Sequence, residues 1–126
     1  MERIIKTIPV KNGELYVISA GRRDTLAKFG GRIEIIEHTD NVPILGTVQT
    51  GAKRIHASFI VCEDLDYQIE ITDGFIHSGK VYEAEANLCG ERLFFSGLRF
   101  SDSDPLHNEL IFEIADMELI QKLLIY

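Results

Sequence analysis

The chain has 126 residues, 45% hydrophobic and 26% charged, ordinary values for one soluble globular domain with a single core. Lys and Arg number 13 against 20 Asp and Glu, a formal net charge of −7 that excludes the basic footprint of a tight nucleic-acid reader. No apolar run approaches the roughly 20 residues of a membrane-spanning helix, and the charged opening Met1-Glu2-Arg3-Ile4-Ile5-Lys6 does not read as a secretory signal, so a cytoplasmic place of work is expected.

Arg3–Val10 is rich in β-branched residues and reads as a strand. Lys11-Asn12-Gly13-Glu14 reads as a tight turn, because Asn-Gly tolerates the positive φ that such turns need. Glu14–Ala20 would be the partner strand of this opening hairpin. Gly21–Gly31 breaks the β pattern, and Asp24 is placed to cap a short helix over Thr25–Phe29 that Gly30 and Gly31 would stop. Arg32–Thr39 returns to strand with Ile33 and Ile35 on one face. The Ile35-Ile36 doublet marks either a bulge or a strand buried on both faces.

The stretch Asn41–Glu63 stands out. It opens on the apolar run Val42-Pro43-Ile44-Leu45, where Pro43 restricts the segment to a strand end or edge. The uncharged loop Gly46-Thr47-Val48-Gln49-Thr50-Gly51 follows, with glycine at both ends; such a loop is either a mobile arm or part of an interface. Arg54–Cys62 then alternates, with Ile55, Ala57, Phe59 and Val61 on one face and Arg54, His56 and Ser58 on the other.

Glu63–Asp66 is a polar turn, Tyr67–Thr72 an alternating strand and Asp73-Gly74 a further turn. In Lys80–Asn87, Tyr82, Ala84 and Ala86 lie opposite Val81, Glu83 and Glu85, and the two glutamates mark a solvated face. Cys89-Gly90-Glu91 turns the chain. Arg92–Phe100 is the most apolar strand, with a bulge or close approach expected at Gly97. Ser101–Pro105 reads as a loop and Asn108–Asp116 as a strand. The tail Asp116–Tyr126 is either a final strand or a short helix capped by Asp116, with Leu119, Ile120, Leu123 and Leu124 on one stripe; a helical turn followed by extended chain is favoured. The expected fold is mainly β: a small antiparallel β-barrel or sandwich with one short helix, a single domain over residues 1–126.

The residues offer little chemistry. His38, His56, His77 and His107 lack metal-ligand spacing. Asp102, Asp104 and Glu109 lack the glycine and ligand period of a calcium loop. Cys62 and Cys89 read as two buried free thiols in strands, with no basic neighbour or helix N-terminus to activate them. Ser58 and Ser96 have no nucleophile-elbow context. The expectation is a protein that is not an enzyme, with no catalytic residue, metal or cofactor.

The order of the pieces resembles the tail tube proteins of contractile phages. The segment VPILG, a loop, then TGAKRIHASFIV matches that family at Gly46, Gly51 and Lys53. The closing LIFEIADMELIQKLL is similar to the family's final strand and acidic segment at Phe112, Glu113, Asp116 and Leu123. The likeness runs diffusely from Ile33 to Leu124, and Arg22–Gly31 departs from it. It implies a fold shared with the tube protein of type VI secretion systems, and protomers that form hexameric rings stacked around a lumen, in a virion or a cytoplasmic assembly. The implied partners are further copies of the chain, with sheath or tape-measure proteins; DNA would pass without specific binding, and no membrane is involved. The subunit interface would draw on Val42, Ile44, Leu45, Gly46, Thr47, Val48, Gly51 and Lys53, and on a second patch at Leu119, Leu123 and Leu124. A small-ligand or protein-binding β-barrel module is the alternative.

Overall fold

Two long strands carry the architecture. In a computed structural model, which describes residues 2–40, 43–44, 47–49, 52–62, 81–104, 106–107 and 109–126, β1 (Glu2–Ser19) and β2 (Arg22–Asp40) form an antiparallel pair along nearly their full length. The short β3 (Pro43–Ile44) and β4 (Thr47–Gln49) pair with each other. Then come β5 (Ala52–Cys62), β6 (Val81–Leu88), β7 (Glu91–Asp104), β8 (Glu109–Ile114) and the helix α1 (Met117–Leu124). The described residues are thus mainly antiparallel β with one short helix. Six strands pair in the order β1-β2-β5-β8-β7-β6, and a ladder from β6 back to β1 closes the ring. Among the described residues no helix is long and apolar enough to cross a membrane.

The period-two pattern fills the interior. Ala57, Phe59 and Val61 of β5 and Tyr82, Ala84, Ala86 and Leu88 of β6 are all buried, as their alternation requires. Phe59 stacks edge-on against Phe29 and Phe95, with ring centroids 5.5 and 4.9 Å apart. Tyr82 meets Phe112 at 5.3 Å. Side chains therefore occupy the barrel from wall to wall.

Asp116 caps α1, its Oδ1 accepting from the Glu118 and Leu119 amides at 3.0 and 3.3 Å. The helix lies at the barrel end that carries the Cys89-Gly90 turn. The Lys6 ammonium donates to the Leu124 carbonyl (3.0 Å), and the Tyr126 hydroxyl donates to Glu91. Ile120 and Leu123 are buried in the barrel core, with Leu119 and Leu124 packed against it. The expected second interface patch thus lies on the stripe that packs against this chain's own core, with Leu123 fully buried and Leu119 and Leu124 half-buried.

Several local expectations are overturned. Asn12-Gly13 makes no turn. β1 runs through it, with Lys11 and Asn12 bulged between the pairs Val10–Gly31 and Gly13–Phe29. Positive φ, here 50° at Asn12, serves a bulge as well as a turn. The turn is at Ala20-Gly21, whose φ values of 51° and 75° suit a two-residue hairpin of mirror-image type. No helix forms over Thr25–Phe29, which is part of β2. A helix so short has too few turns to offset its nucleation, whereas β1 offers a ladder throughout.

The Ile35-Ile36 doublet does face a bulge, but on its partner: Ile4 pairs with Ile36 and Lys6 with Ile35, leaving Ile5 extra. At Gly97 (φ 66°) the expected bulge is present, Ser96 and Gly97 lying opposite Glu83. Ser101–Asp104 continues β7 against β8 instead of forming a loop. Within Gly46–Gly51, Thr47–Gln49 is strand β4, not loop. Cys89 sits exposed in the β6–β7 turn with φ 50°, not buried in a strand. The turn and strand expected over Glu63–Gly74 lie outside the described residues.

Candidate functional site

β2 supplies two arginines that reach in opposite directions over the outer wall. Arg32 crosses β5 to β8. Its Nη1 donates to Glu109, its Nη2 donates to Glu109 Oε1 at 3.4 Å and its Nε donates to Glu34 Oε2 at 3.0 Å. Cys62, between them on β5, lies 3.8 Å from Arg32 Nη1, and its Sγ donates to Glu109 Oε2 at 3.6 Å. Arg23 goes the other way. It lies over the Tyr16 ring of β1 (5.2 Å), donates from Nε to Glu83 of β6 (2.9 Å) and reaches the Phe94 ring of β7 (5.0 Å). Each arginine thus ties β2 to a strand that it does not pair with.

The electrostatics follow from these contacts. The hydrogen bond from Arg32 holds the Glu109 carboxyl below its ordinary value, against the opposing effect of burial. Burial, then the neighbouring Glu109 charge, pushes the Cys62 thiol up. Cys62 therefore does have the basic neighbour that the sequence hides, yet stays a protonated donor and not a thiolate nucleophile. Tyr16 is pushed up to about 12, chiefly by its 2.5 Å hydrogen bond to Glu14. At the β7–β8 connection, Asp104 and His107 pair at 2.6 Å, which raises the imidazole and lowers the carboxyl.

The Arg32 network makes a checkable prediction. Glu109 has a depressed folded-state pKa, so its contribution is fully present above the ordinary value of 4.5 and is lost as pH falls through the lower folded value. Glu109→Gln is expected to cost about 1–2 kcal/mol near neutrality, since both partners are mostly but not fully covered. Urea unfolding should show the gap between wild type and variant shrinking from about pH 7 to about pH 3. A gap that does not change with pH would show that the ion pair contributes nothing.

Of the described histidines two share one acid and the third stands apart, and His77 lies outside the described residues. His38 and His56 each approach Glu2, at 3.8 and 3.9 Å, whereas His107 is at the other end of the barrel. Among the described residues no group of three His, Cys, Asp or Glu is arranged to hold a metal ion.

Of the expected interface residues, Ile44, Thr47 and Val48 fall in the β3–β4 pair, and the Lys53 side chain is exposed at the start of β5. Val42, Leu45, Gly46 and Gly51 lie outside the described residues. Two apolar side chains that the sequence reading did not single out, Val81 and Phe94, are 48% and 44% exposed on the outer wall of β6 and β7. The arginine straps left no local signal either, since Arg32 and Glu109 are 77 positions apart and Arg23 and Glu83 are 60 apart. No protein family, curated protein or solved structure matches this chain.

Proposed function

We propose that this chain is a structural, self-assembling protein of a phage tail tube or a phage-like injection system, forming stacked rings around a lumen. The observation that carries the reading is the division between inside and outside. The interior is filled by the protein's own side chains, so the working surface is the outer wall, where Val81 and Phe94 leave apolar area exposed. A head-to-tail ring needs two complementary patches on each protomer. The uncharged segment around β3–β4 supplies one, and the Val81–Phe94 wall takes the place of the helix stripe as the other. A net charge of −7 suits a lumen past which DNA slides without sticking.

Size-exclusion chromatography with light scattering, and negative-stain microscopy of concentrated protein, test the reading. Rings or filaments that grow with concentration are expected. Val48→Asp and Val81→Asp should each suppress them while circular dichroism stays unchanged. A strictly monomeric species near millimolar concentration would overturn the proposal and favour the binding-module alternative.

A further inference from the structure

The bulge in β1 opens a cleft on the outside of the barrel. It encloses about 540 Å³, the size of a small-molecule site. Gly30 lies in its lining, and a Cβ built there meets nothing closer than the Val10 carbonyl at 3.8 Å, so the space above Gly30 is open. Lys11, Lys28 and Arg92, one cation from each of β1, β2 and β7, line the cleft, and Glu14 is its one acid.

The commitments of these groups differ. Arg92 is locked in place: Nη1 donates to the Asn12 carbonyl (3.0 Å) and to Asn87 Oδ1 (3.2 Å), and Nε donates to Glu85 (3.3 Å). Its Nη2 donates to no group among the described residues. Neither Lys11 nor Lys28 forms an ion pair among the described residues, although the chain has seven more acids than bases. Glu14 has one oxygen occupied by the Tyr16 hydroxyl. The cleft thus combines one rigid donor, two uncommitted ammonium groups and an unfilled floor.

We propose that this cleft binds a small polyanion bearing phosphate or carboxylate groups. Three cations on three strands can each meet a separate anionic group, which a single carboxylate cannot satisfy, and the fixed guanidinium spares part of the ordering cost of binding. The cleft shares no residue with the patches assigned to assembly, although Arg92 lies two positions from Phe94 on the outer face of β7.

The test titrates inorganic pyrophosphate and, separately, citrate, followed by amide NMR. Shifts should concentrate at Lys11–Glu14 and Lys28–Gly31 and weaken as salt is added. Lys11→Gln and Lys28→Gln should each weaken binding by about tenfold. Gly30→Val should block the cleft with no change of charge, and Lys122→Gln, on α1, should leave binding intact. Thermal unfolding of each variant confirms that the fold persists. Binding of pyrophosphate alone identifies phosphate as the recognised group, and binding of citrate alone identifies carboxylate. Absence of binding by both, shifts scattered over all surface lysines, or equal weakening by Lys122→Gln would overturn the proposal.

Discussion

Gly31→Ala is expected to cost at least about 3 kcal/mol and to lower the unfolding midpoint by roughly 10 °C or more. A Cβ at this position would sit 2.0 Å from the Ile60 carbonyl oxygen and 3.1 Å from its carbon. These are backbone atoms of the neighbouring strand, in the stretch where Gly31 pairs with Val61 and Arg32 with Ile60, so no side chain can swing aside. Relief requires β2 and β5 to separate locally and give up ladder bonds. The demand is for space and not for an unusual φ, which is positive at Gly21, Gly90 and Gly97 but not here.

Gly30, the adjacent residue, is the internal control. Its Cβ would have room, so Gly30→Ala should be neutral or stabilising by up to about 1 kcal/mol through the unfolded chain. Equal costs for the two substitutions, measured by urea unfolding, would show that general strand propensity and not the close approach governs this pair.

Phe59→Ala carries the other large effect, a loss of about 3–5 kcal/mol. Phe59 is fully buried and its ring lies between those of Phe29 and Phe95, joining β5 to β2 and β7 across the barrel. Truncation leaves a cavity that a closed wall cannot collapse to fill, because each strand is held by ladders on both sides. Phe59→Leu should cost only about 1–2 kcal/mol, since most of the volume stays. An unchanged urea m-value with a lowered midpoint would confirm that native packing is what changed. A loss below about 1.5 kcal/mol for Phe59→Ala would mean that the barrel relaxes around the void, contrary to a tightly filled interior.

Much of the fold was legible because it is encoded locally. The alternation of Ile55, Ala57, Phe59 and Val61 in β5, and of Tyr82, Ala84 and Ala86 in β6, marks inward faces with no knowledge of their partners. The glycine of the Gly97 bulge and the Asp116 cap on α1 follow from the needs of one bulge and one helix start. Where two local structures make the same demand, sequence reading fails. Asn12-Gly13 meets the positive-φ requirement of a bulge and of a hairpin turn equally, and Gly30-Gly31 looks like a helix stop when it is the point where β2 runs close against β5.

By itself, then, the sequence determined the mainly β class, the inward set of side chains in β5 and β6, the Asp116 cap of a C-terminal helix and the acidic balance. These depend on periods, caps and composition that are written within a few neighbouring residues. Only the tertiary structure decided that β6 returns to β1, that Leu123 fills this barrel's own end, that Arg32 and Arg23 strap β2 to strands on either side, and that three cations meet at the β1 bulge. Those outcomes rest on ladder register and side-chain reach between residues tens of positions apart, which no local pattern specifies.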